Sequence, residues 1–78
     1  MITNHLNMKR LSAVMKLEKT NWKVVASGLD TNGVINYLKD EGITLSTNDL
    51  TTIVTGGAFQ VVNNSVSYRV VLDRYINE

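Results

Sequence analysis

The chain contains no cysteine and no proline, and only one histidine. Without thiols there is no disulfide, no cysteine nucleophile and no cysteine metal site. The one histidine, His5, sits in residues 1–6, a terminal stretch expected to fray. A single residue of this kind supplies neither a zinc ligand set nor the base of a Ser/His/Asp arrangement. Gly56-Gly57 matches neither GxGxxG nor a GKS/GKT phosphate loop. Asp30, Asp40, Glu41 and Asp49 are formal acid–base groups, but no spacing brings two of them together. No enzyme, metal or cofactor is expected. No apolar run approaches the roughly 18 residues needed to span a bilayer, and no signal-peptide pattern opens the chain, so the expected location is cytoplasmic.

What is present bounds the answer further. Seventy-eight residues allow one domain, 1–78, with one small core, close to the size at which such a domain is marginal alone. The 44% apolar content excludes disorder. With no covalent staple, burial against a larger protein or in a homodimer would add stability. Abundant Asn and Thr without proline suit the AT-rich genomes of phages and mobile elements. No repeat, low-complexity tract or linker interrupts the chain.

A net charge of +1 conceals an asymmetry. Lys9, Arg10, Lys16, Lys19 and Lys23 face Glu18 alone in the first 23 residues, whereas Asp30, Asp40, Glu41 and Asp49 oppose only Lys39 up to residue 68. A basic front of this kind suits phosphates or an acidic protein surface, or is simply a solvated face.

Residues 8–19 (MKRLSAVMKLEK) are rich in strong helix formers, with Met8, Leu11 and Met15 on one helical face. The same letters alternate as a strand, with Leu11, Ala13, Met15 and Leu17 on one side; propensity favours the helix. The β-branched run 22–27 reads as a strand. Asp30 is a good N-cap for a helix reaching Glu41, which Gly42 stops. The acids Asp40 and Glu41 at its end read as a tolerated surface pair. Ser46 and Asp49 fit a capping box for a short helix over 47–54, against a competing strand-and-turn reading of TTIVT-Gly56-Gly57. Two alternating runs around an Asn63-Asn64 turn then form a hairpin.

The expected fold is therefore a small α+β domain of two or three helices with a C-terminal antiparallel hairpin. Its element order is that of a winged helix-turn-helix; the alternative is a helix packed on a four- or five-stranded antiparallel sheet. Function follows as binding. The first reading is a small regulator or inhibitor that docks on a larger protein partner through Lys9, Arg10, Lys16, Arg69, Arg74 and Tyr75, since aromatics and arginine concentrate binding energy. Trp22, Phe59 and Tyr68 are expected in the core. The alternative is a dimeric winged-helix regulator contacting double-stranded DNA through Thr47, Asn48, Thr51, Asn63, Asn64 and Arg69. Charge disfavours it: eight Lys and Arg in all, none on the recognition helix, and a pI of about 8.1, below the value of ~9 usual for such domains.

Overall fold

Residues 8–19, expected as a first helix, form a strand over 8–18 and enter a turn at Lys19 instead. The computed structural model describes residues 8–56 and 58–77. Its elements are β1 (Met8–Glu18), β2 (Asn21–Leu29), α1 (Thr31–Asp40), α2 (Thr47–Thr55), β3 (Phe59–Asn63) and β4 (Val66–Asn77). Helix propensity loses because a helix strands Leu17 off its apolar face, whereas alternation gives both apolar sets of β1 a use. The winged-helix order rested on that helix, so it is replaced by strand-strand-helix-helix-strand-strand. The α+β class and the C-terminal hairpin stand, with two helices over one four-stranded antiparallel sheet. Residues 1–6, including His5, lie outside the described residues.

The strand order is β2-β1-β4-β3, so the first and last strands are the central ones. Both hairpins are tight. Glu18 pairs with Asn21 across Lys19-Thr20, and Lys19 takes the left-handed φ of 58°. Asn63 pairs with Val66, so the second turn is Asn64-Ser65, one residue later than expected. Both turn residues have positive φ, 52° and 65°, the geometry whose twist matches two antiparallel strands.

The helices carry the caps that the sequence announces. The Asp30 carboxylate accepts from the Gly33 amide at 2.8 Å. Gly42 is left-handed after α1, with φ 84°. Ser46 and Asp49 exchange both bonds of the capping box, at 2.9 and 3.1 Å, and Gly56 closes α2 at φ 77°.

Both helices bury their apolar stripes on one face of the sheet. Val34 and Leu38 of α1, Ile53 of α2 and Ile43 between them meet Val14, Phe59, Tyr68 and Val70. The registers align Ala26, Val14, Val70 and Phe59 in one row across all four strands. Phe59 and Tyr68 are thus core, as expected, while Trp22 is only half-buried on the opposite face. Glu41, read from sequence as a surface acid, accepts from the Tyr68 hydroxyl at 3.0 Å and ties the end of α1 to β4. Burial first, and then this bond, raise the Tyr68 pKa above its ordinary 10.0.

Two outcomes test this account. Leu38 is fully buried, so Leu38→Ala should cost about 2–5 kcal/mol in urea unfolding. A loss under 1 kcal/mol would place the core elsewhere. The Gly33 amide bond, with Lys9 adding its charge, lowers the Asp30 pKa below 3.8, against a smaller opposing effect of burial. A depressed carboxylate stabilises the fold above its unfolded pKa and loses that contribution as pH falls through the folded value. Any stability advantage of the parent over Asp30→Asn at neutral pH should therefore shrink below pH 3.8. A gap constant down to pH 2 contradicts the cap's ionic character.

Candidate docking surface

The charge asymmetry of the sequence becomes a separation of layers. The strands and their turns hold seven cations against Glu18 and Asp73, whereas the helical layer holds Asp30, Asp40, Glu41 and Asp49 against Lys39. Two regions of the basic layer present apolar groups to solvent.

The first is the sheet face turned away from the helices. Alternation puts Ala13, Met15 and Leu17 there, opposite Val71, Val24 and Trp22. This face covers itself in part, although Val24 stays 58% exposed. Leu11 and Ala13 are already buried, and the Arg69 guanidinium stacks on the Trp22 ring at 4.2 Å while donating to Gln60 at 3.3 Å. Antiparallel sheets commonly leave one face to solvent, so this one needs no partner.

The second region is where the sheet outruns its edges. β2 pairs with β1 only from Ser12 onward, and β3 leaves β4 after Val70. Residues 8–11 and 74–77 therefore pair only with each other, as a two-stranded ribbon on a molecule 50 Å long but 18 Å thick. Asp73 is the extra residue of a bulge at the ribbon's base, between Leu72 opposite Ser12 and Arg74 opposite Leu11. Its carboxylate crosses β1 to accept from the Gly28 amide at 2.7 Å and pairs with Arg74 at 3.1 Å.

On the helix side of the ribbon lies a ledge. Arg10 opposes Tyr75, Ser12 opposes Leu72, and Met8 shares their face. The end of α2 forms the back wall through Val54, Thr55 and Gly56. Met8, Val54, Leu72 and Tyr75 are between 44% and 63% exposed, half of the exposed large apolar residues among those described. Between ribbon and helices sits a cavity of about 130 Å³, bordered by Arg10, Ser12, Thr31 and Ile53. Arg10 is half-buried, and among the described residues its guanidinium has neither hydrogen-bond nor ion-pair partner. It lies against the bare α-carbon of Gly56, where a Cβ would overlap it.

The residues expected to bind a partner divide accordingly. Lys9, Arg10, Arg74 and Tyr75 gather on the ribbon, with Lys9 bound to Asp30 at 3.6 Å and Tyr75 exposed as expected. Alternation turns Lys9 and Arg74 to the side opposite Arg10 and Tyr75. Lys16 and Arg69 lie mid-sheet and are engaged by rings, Lys16 over Tyr68 at 5.9 Å. The positions expected to contact DNA form no comparable site. Thr47, Asn48 and Thr51 are exposed on α2, where Thr51 donates its hydroxyl back to the Thr47 carbonyl. Asn63 is tied to the Glu41 carbonyl at 3.5 Å, and Asn64 forms the turn. Sequence reasoning missed Ser12, Val54, Gly56 and Leu72; the strand alternation of residues 8–19 was the signal for Ser12.

The architecture is a two-layer α+β domain in which two helices cover one face of an antiparallel sheet. No family model, no curated protein and no solved structure matches this chain.

Gly56 and Gly42 separate backbone cost from the Arg10 contact. Both are left-handed, but a Cβ at Gly42 meets only the Asn63 side chain at 4.0 Å. Gly42→Ala should cost about 1–2 kcal/mol, the price of the left-handed conformation. At Gly56 the added Cβ meets the far end of the flexible Arg10 side chain, which can swing aside, so Gly56→Ala should cost about the same as Gly42→Ala while displacing the Arg10 side-chain N–H resonances. Arg10 resonances that do not move refute the close seating of Arg10.

Proposed function

We propose that the chain is a non-catalytic binding protein, a small cytoplasmic regulator or inhibitor that docks on a larger protein through the ribbon ledge. The observation that carries this reading is the gathering of exposed Met8, Val54, Leu72 and Tyr75 around an arginine with no partner among the described residues. Exposed apolar groups collected in one place mark interaction sites, and Tyr and Arg are the residues that anchor them.

Two alternatives are weaker on physical grounds. A nucleic-acid reader built on α2 would bring the acidic layer, with Asp49 in the first turn of that helix, towards phosphates. A homodimer by antiparallel pairing along the free edge of β4 needs a two-fold axis normal to the sheet, which sets one residue opposite its own copy. Centred on residues 71–77, that residue is Arg74, and like charges directly opposite destabilise. The Asp73 bulge guards the same edge.

The test compares the parent chain with a Leu72→Ser/Tyr75→Ser variant as baits in lysate of the organism carrying the gene, with folding of both verified by circular dichroism. One stoichiometric protein retained by the parent and lost by the variant is expected. Equal retention by both, or retention of duplex DNA at low salt in place of protein, overturns the reading.

A further inference from the structure

We propose that the cavity beside Arg10 receives a single carboxylate, presented by an aspartate or glutamate side chain of the docked protein. The inference rests on the docking reading above and adds the chemistry of the partner's anchor.

Three donor groups border the cavity without a protein acceptor among the described residues. The Arg10 guanidinium and the hydroxyls of Ser12 and Thr31 make no hydrogen bond among the described residues. Thr55, on the same wall, already donates to the Thr51 carbonyl at 2.9 Å and offers only lone pairs. Among the described residues no acid borders the cavity, while Val34 and Ile53 give it an apolar floor. The donors are thus left to solvent within the described residues, and the floor suits the methylene that carries a carboxylate. Gly56 presses one side of the guanidinium, which limits the directions its fork can take.

Size and charge select the ligand. A volume of about 130 Å³ exceeds several-fold the roughly 10–15 Å³ that one water needs on the same measure, which leaves room for a carboxylate with its methylene. One planar guanidinium matches one carboxylate through two parallel bonds. A phosphoryl group carries about −1.5 to −2 charges and would meet the same single cation. It would also face the negative end of the α2 dipole and Asp30, the residue before Thr31. Arg10 has a competing structural role, as a cation at the end of α2, but that role needs only charge and makes no use of the free hydroxyls.

The experiment uses the isolated, isotope-labelled chain titrated with sodium acetate at constant ionic strength. Saturable shifts are expected at the Arg10 side-chain N–H and at the amides of Ser12 and Thr31, in the millimolar range and without matching shifts at Arg69 or Arg74. Arg10→Met, with an otherwise parental spectrum, should abolish them. Arg10→Lys, which keeps the helix-end charge, should weaken acetate at least fivefold. Shifts that are absent, or equal at all three arginines, overturn the pocket. Tighter binding of inorganic phosphate than of acetate overturns the carboxylate, and micromolar binding of free citrate or glutarate points to a metabolite rather than a protein side chain. In the bait experiment Arg10→Met should reduce partner retention at least tenfold; undiminished retention overturns the anchor. Loss of acetate binding with intact capture sinks the pocket alone, and acetate binding without any captured partner sinks the docking reading alone.

Discussion

The pairing of β1 with β4 is the interaction on which everything else depends. It joins the two ends of the described chain, residues 8–16 with 68–77, and converts two hairpins into one sheet. A hairpin alone is marginal in water, since it has too little apolar face to offset the ordering of its backbone. Joined at the centre, the four strands bring Ala26, Val14, Val70 and Phe59 into one row that α1 and α2 can cover. These contacts are far apart in sequence, so they form only after loop closure has been entropically compensated.

The same pairing creates the surface that sets this molecule apart. Because β1 and β4 run past both neighbours, their ends project as a ribbon that no third strand among the described residues flanks. The ribbon leaves Met8, Leu72 and Tyr75 uncovered beside the helical layer and holds Arg10 at the edge of the cavity. The opposite sheet face is also uncovered and leaves Val24 exposed, but there Arg69 stacks on Trp22 and the strands bury Leu11 and Ala13. Exposure alone therefore does not separate the two regions. What separates them is whether polar groups are already satisfied.

Legibility in the sequence followed the range of the forces involved. The α1 cap at Asp30, the α2 capping box at Ser46 and Asp49, and the glycine stop Gly42 were all readable, because each is settled within one turn of chain. Alternation in 59–62 and 68–73 was readable for the same reason, though the turn moved one residue once the registers closed. Residues 8–19 were not, since helix propensity and strand alternation differ there by less than a distant strand contributes by pairing. Among the expected binding residues, Arg10 and Tyr75 meet across a pairing that spans 65 positions. Ser12, Gly56 and Leu72 carried no signal of their own, because their importance lies in what surrounds Arg10.

By itself, then, the sequence determined the local grammar: the caps at Asp30 and Ser46, the last hairpin, the absence of cysteine chemistry, and that the front is basic and the middle acidic. The tertiary structure alone decided that residues 8–18 are a central strand, that the two charge blocks become two layers, and that Arg10 stands beside a cavity with no partner among the described residues. The reason is physical. Caps, turns and periodicity are satisfied by neighbours in the chain, whereas strand partners, edges and unspent donors exist only once distant segments have met.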